Sequence, residues 1–165
     1  MPAKKLKEFL DNHHVKYVTI RHSQAYTARE VAQSAHIPGD QFAKTVIVKV
    51  DGKMAMAVLP APHHLEPSRL RGALSATEVD IASENEFSGR FPGCETGAMP
   101  PFGNLFDMPV YVAESLTHQD QIAFNAGSHS ELIKLSYEDF ERLVQPTVLA
   151  FSTQRPAAEA KKHYL

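Results

Sequence analysis

FAKTVIVKVDGKMAMAVLP, residues 42–60, places Asp51-Gly52 between two runs of apolar and β-branched residues. Asp-Gly favours the type I′ turn, whose twist matches that of paired antiparallel strands, so the stretch predicts a hairpin with arms of about 43–50 and 53–59. A two-residue turn sets Val50 opposite Lys53, Val48 opposite Ala55, Val46 opposite Ala57 and Lys44 opposite Leu59, each pair on one face. Ile47, Met54, Met56 and Val58 take the other face. Both faces are largely apolar, which predicts a hairpin at the centre of a sheet covered on both sides. The amine of Lys44 then stands at the mouth of an apolar face.

Upstream of the hairpin, Leu6, Phe9 and Leu10 recur at helical spacing within residues 3–13, and residues 15–20 read as a strand. Thr27-Ala-Arg-Glu30 is a capping box that opens a helix over about 28–36, and Pro38-Gly39 ends it. Downstream, Pro60-Ala-Pro62 breaks the second arm, and Pro67 suits the first turn of a helix reaching about residue 73. A strand near 78–82 follows, and Ser83-Glu-Asn-Glu86 repeats the capping-box pattern before a short helix ending at Gly89. Strands are read at 109–113, 121–124 and 131–135, with Asn125-Ala-Gly127 as a tight turn between the last two. Ser136 caps a helix of about 137–144, which Pro146 stops. About seven strands among four or five helices, without strict βαβ alternation, predict an α+β domain whose mixed sheet curls around one core. One domain is expected over 1–152, with a polar, Ala-rich tail over 153–165.

Between the short helix and the strand at 109–113 lies GRFPGCETGAMPPFG, residues 89–103. Its glycines and prolines exclude a helix or a central strand, and it is long for a plain connection in a compact domain. Phe91, Met99 and Phe102 predict a packed loop that presents main-chain N–H groups to a ligand, because glycine allows a close approach to the backbone.

Composition narrows the chemistry. The 165 residues carry 17 basic and 19 acidic side chains, a formal net charge of −2, which argues against coating nucleic acid by bulk electrostatics. A local basic cluster of Lys4, Lys5, Lys7, Lys16 and Arg21 remains available, or is simply a solvated face. The single cysteine, Cys94, rules out an intramolecular disulfide and fits a reducing cytosol. No signal-like segment and no membrane-length apolar run is present, so the expected location is cytoplasmic and no membrane partner is expected. Nine histidines invite a metal, yet there is no HExxH or CxxC, and the pairs His13-His14 and His63-His64 point apart on any regular element. Neither metal nor cofactor is expected. Phosphate-loop spacings and a GxSxG elbow are also absent. Cys94 has no adjacent base to make it a nucleophile and reads as small-residue filler.

What remains is a site of backbone donors, one lysine and a few polar side chains, which suits hydrolysis of an already activated ester. Gly97 and Ala98 are candidate donors, and Lys44 a candidate to hold a phosphate or sit near an oxyanion, or else a strand-end lysine reaching solvent. His129 is a candidate for substrate positioning or acid–base help, or a plain loop histidine. His22 and Tyr26 stand between the first strand and a helix N-terminus, where Thr27 is explained by capping alone.

Three segments, FAKTVIVKV from Phe42, GCETGAMPPFG from Gly93 and NAGSHSELIKLSYEDFERLV from Asn125, together resemble the YbaK family of aminoacyl-tRNA editing domains over roughly residues 3–150. The resemblance implies a mixed, barrel-like sheet flanked by helices and the deacylation of misacylated tRNA. It places the family lysine on Lys44 and the GxxxP loop on Gly97, Ala98, Met99, Pro100 and Pro101. The small-residue turn falls on Ala126, Gly127 and Ser128, followed by His129. In relatives the lysine is assigned to the tRNA 3′ end, the loop cradles the aminoacyl group, and the ribose hydroxyl is often thought to assist. The implied function is a trans-acting deacylase, with tRNA for proline carrying alanine, cysteine or serine as substrate and a transient contact with an aminoacyl-tRNA synthetase open. A non-catalytic tRNA- or synthetase-binding module of the same fold is the alternative, and a thiol enzyme using Cys94 a third.

Overall fold

The computed structural model describes residues 2–22 and 27–154. In chain order the elements are α1 (Pro2–Asn12), β1 (Tyr17–Arg21), α2 (Ala28–Ser34), β2 (Ala43–Val50), β3 (Lys53–Pro60), β4 (His64–Leu65), α3 (Pro67–Leu74) and β5 (Val79–Ile81). They continue with α4 (Glu84–Phe87), β6 (Val110–Ala113), β7 (Gln121–Ser128), β8 (Glu131–Ser136), α5 (Tyr137–Val144), β9 (Thr147–Leu149) and β10 (Ser152–Thr153). The α+β class holds.

The Asp51-Gly52 hairpin forms in the expected register, Val50 against Lys53 through Lys44 against Leu59. Asp51 and Gly52 take positive φ angles of 50° and 84°, as a type I′ turn requires. The hairpin is the middle of a five-stranded mixed sheet in the order β5-β2-β3-β6-β9, with β6 and β9 running parallel to their neighbours. Its two faces feed different cores. Ile47, Met56 and Val58 join the main cluster with α1 and α5, while Val48, Ala55, Ala57 and Leu59 pack with Leu70 of α3 and Phe151.

The barrel-like sheet of about seven strands is corrected in one respect. Among the described residues ten strands form three separate sheets: the five-stranded one, the antiparallel β1-β8-β7, and the pair β10-β4. The two larger sheets meet at one parallel bridge, Phe42 to Ala123, and do not close into a single barrel. The additional strands, β4, β9 and β10, are two or three residues long, too short to show a period.

A second correction concerns residues 125–127. Asn125, Ala126 and Gly127 continue β7, and the register against β8 shifts between Asn125 and Ser128, so the extra residues form a bulge and the chain turns at 129–130. Small residues that read as a turn are here the end of a strand that bends.

Both capping boxes form, with Thr27 and Ser83 accepting from the N–H groups of Glu30 and Glu86. Ser136 caps α5 through the Asp139 N–H. Below the loop at 89–103, Phe102 is fully buried, its ring centroid 5.5 Å from Phe124 of β7 and 5.6 Å from Phe140 of α5. Phe91 packs edge-on against Phe106 at 4.8 Å. Aromatic anchors thus fix the loop near both ends, each worth roughly 1.5–3 kcal/mol of burial.

Candidate active site

The second half of the loop is fastened to the end of β7. The Glu95 N–H donates to the Gly127 carbonyl at 2.8 Å, and the Gly127 N–H donates to the Ala98 carbonyl at 2.9 Å. From the β7–β8 turn, His129 reaches the Thr96 carbonyl with Nε2 at 2.7 Å. A carbonyl can only accept, so Nε2 carries the hydrogen of this ring. His129 is 5% exposed and so supports the loop from beneath. Gly97 sits above it at the surface with φ +84°, and a Cβ there would stand 3.5 Å from His129 Cε1. Gly127, Gly97 and His129 therefore form one contact group.

Within the segment 95–98 the donors are unequal. Ala98 donates to the Glu95 carbonyl at 3.0 Å and is fully buried, so its N–H is already used in the turn. The Gly97 N–H has no hydrogen-bond partner among the described residues. Of the two candidate donors, Gly97 is the one left open to a ligand. Met99, Pro100 and Pro101 are buried, with Met99 part of the main core. Met99 also lines a cleft of about 280 Å³ with Phe87, Phe91, Cys94 and Thr96. Burial pushes the Cys94 thiol up to about 11, against a weaker pull from Lys5, so it is a neutral thiol at ordinary pH.

His22 joins the group through its backbone, donating to the Ser130 carbonyl at 3.0 Å, while the Ser128 and Ser130 hydroxyls lie 3.4 Å apart. Tyr26 falls outside the described residues.

Lys44 is the second residue of β2. Its Nζ donates to the Ala61 carbonyl at 3.1 Å and faces a cavity of about 200 Å³ lined with Thr27, Arg29, Pro62 and His64. Burial, and then the Arg29 charge, lower its pKa below the usual lysine value. The link between the two halves is the Phe42–Ala123 bridge: β2 and β7 run parallel from it, and each leads to one half of the site. Beyond the bridge, β2 leads to Lys44 and β7 leads through Asn125 to Gly127.

One residue on this seam carried no signal when read as part of a turn. Asn125 is 8% exposed and its Oδ1 is buried without a hydrogen-bond partner. A single polar residue within an otherwise apolar AFNAG run would have marked it, had the run been read as strand. Among the described residues no group of three or more His, Cys, Asp or Glu side chains could hold a metal ion, and no helix is long and apolar enough to cross a membrane.

The family model for the aminoacyl-tRNA editing domain matches residues 22–143, which span both halves of the site. The chain belongs to the aminoacyl-tRNA editing domain family. This editing domain is 32% identical over 117 residues to the multifunctional Ser/Thr-tRNA deacylase ProXp-y of Escherichia coli K12, a match covering 67% of this chain and 69% of that protein. It is 25% identical over 142 residues to the prolyl-tRNA editing protein ProX of Acetoanaerobium sticklandii, covering 82% of this chain and 86% of the relative. Its fold matches a crystal structure described as a candidate trans-editing enzyme for prolyl tRNA synthetase, with TM-score 0.77, 19% identity, and coverage of 92% of this chain and 97% of that one.

Proposed function

We propose that this editing domain is a trans-acting deacylase that hydrolyses the ester linking a wrong amino acid to tRNA. The observation that carries the reading is Gly97: an exposed glycine whose N–H is unspent, on a turn held by Gly127 from one strand and His129 from the next. Such a donor needs no reorganisation when an ester carbonyl becomes an oxyanion, which is how a site without a protein nucleophile accelerates attack by water. Lys44, next to Arg29, supplies positive charge where the phosphates of the tRNA 3′ end would lie. Met99, Pro100 and Pro101 form the wall behind the loop, and His22, Ser128 and His129 its floor. The named activities of the two relatives support this class of substrate. The finer assignment is tRNA for proline carrying a small residue such as alanine, cysteine or serine, with the enzyme acting in the cytoplasm and meeting a synthetase only in passing.

The test is a panel of tRNAs charged with alanine, serine, threonine or cysteine, incubated with wild type and Lys44→Ala protein. Wild type is expected to release the amino acid from at least one, and Lys44→Ala to be at least tenfold slower, about 1.4 kcal/mol of transition-state stabilisation. Wild type that binds tRNA but deacylates none of the panel would establish the non-catalytic binding module instead.

A further inference from the structure

Asn125 is the buried polar group on the seam that the donors described so far leave unexplained. Its side is fixed by two registers. It pairs with Leu132 across β7 and β8, and residues opposite each other on antiparallel strands share a face. It also follows Ala123 by two residues, and alternate residues of a strand point the same way. Leu132, Ala123 and Phe42 all belong to the cluster beneath α2. Lys44 follows Phe42 by two residues on β2, which bridges in parallel to Ala123, so Lys44 and Asn125 lie at equivalent steps beyond the bridge and on the same side. Asn125 is therefore the β7 residue level with Lys44, two residues before Gly127.

A buried amide oxygen without a partner costs stability, and a well-packed apolar side chain of similar shape would remove that cost. Retaining one on the strand step level with Lys44, which faces a cavity of about 200 Å³, calls for a ligand. The Lys44 cavity offers donors, the Lys44 ammonium and the Arg29 guanidinium, and the Gly97 N–H is a third on the loop docked to the end of β7. These match the phosphate and ester oxygens of an aminoacyl-tRNA but leave its α-ammonium, a donor of three N–H bonds, unserved.

We infer that the Asn125 amide oxygen receives the α-ammonium of the aminoacyl group, making Asn125 the residue that distinguishes an amino acid ester from other acyl esters on tRNA. The inference rests on the deacylase reading above. A neutral acceptor suits the position, because a carboxylate beside Lys44 would form an ion pair with it and withdraw it from the substrate.

The experiment is a cycle of two changes. Wild type, Asn125→Leu and Asn125→Ala are assayed on the misacylated tRNA that wild type hydrolyses fastest and on its α-hydroxy counterpart, made by nitrous acid deamination, in which a hydroxyl replaces the ammonium. Taking kcat/KM ratios cancels the different intrinsic reactivity of the two esters. Wild type is expected to favour the amino ester, and both variants to lose about tenfold of that preference, the usual worth of a charge-assisted hydrogen bond. Asn125→Leu is expected to keep or raise the melting temperature, which separates the loss from unfolding; Asn125→Ala repeats the test with a side chain too small to clash. A preference that survives unchanged in both variants overturns the inference while leaving the deacylase reading intact. Wild type inert on the whole panel overturns that reading and this inference together.

Discussion

His129 Nε2 donates to the Thr96 carbonyl at 2.7 Å, so the turn after β7 holds the loop segment that carries Gly97. Losing that bond costs about 0.5–1.5 kcal/mol of order in the loop. We expect His129→Ala to lower kcat for deacylation by about tenfold, with little change in tRNA affinity. His129→Gln, whose amide N–H can reach the same carbonyl, should recover part of the loss. A kcat unchanged in His129→Ala would show that the loop holds its shape without the ring.

Two glycines of this region are required for different reasons, and alanine substitutions separate them. Gly97, at φ +84° with room for a methyl group, pays only for the left-handed backbone, about 1–2 kcal/mol. Gly97→Ala should therefore remain folded while its deacylation rate falls sharply, as the turn relaxes away from the positive φ that aims its N–H. At Gly103 a Cβ would fall on the Met108 carbonyl oxygen and crowd Val110. Gly103→Ala should lower the melting temperature by an amount matching overpacking, about 1–3 kcal/mol, although Gly103 faces no substrate. A Gly103→Ala protein as active and as stable as wild type, or a Gly97→Ala protein with an unchanged deacylation rate, would contradict this division.

Lys44 gives a pH signature with a definite sign. Burial and Arg29 lower its pKa in the folded state below the 10.5 of a free lysine. The folded protein therefore pays to keep Lys44 charged at neutral pH, and the penalty is relieved as pH rises through the window between the lowered value and 10.5. Lys44→Met should be at least as stable as wild type at pH 7, with any advantage shrinking as pH approaches that of a free lysine. Deacylation by wild type should decline across the same alkaline window as the ammonium is lost. Parallel denaturant titrations and rate profiles of the two proteins measure both effects.

Cys94 should be dispensable. With its thiol pushed up to about 11, little thiolate exists at neutral pH. Cys94→Ala is expected to retain full activity, and iodoacetamide to label the native protein far more slowly than the denatured one. Abolished activity in Cys94→Ala, with folding intact, would revive the thiol mechanism.

Where the sequence carried a strong local code, it was read down to the residue. Asp51-Gly52 demands one turn, and that turn sets every pair of the hairpin from Val50–Lys53 to Lys44–Leu59. The capping boxes at Thr27 and Ser83 and the cap at Ser136 likewise needed only local spacing. Tertiary context supplied the rest. Thr147–Leu149 and Ser152–Thr153 are strands because β6 and β4 lie beside them, and so few residues carry no period of their own. Asn125-Ala-Gly127 has the composition of a turn, yet pairing with β8 and the docked loop keep it extended. That misreading also hid Asn125, since an asparagine in a turn calls for no explanation and one buried in a strand does. The spent N–H of Ala98 was equally invisible, because it depends on how residues 95–98 fold back on themselves.

The single Phe42–Ala123 bridge has one more consequence. Between that bridge and Ile47, whose carbonyl accepts the Ala82 N–H, β2 has a strand partner on one side only among the described residues, so its other side is an edge inside the molecule. An edge of this kind presents main-chain groups whose positions do not depend on side-chain identity. Side chains beside Lys44 along this edge can therefore change while the backbone rail that carries them stays constant, without rebuilding the fold.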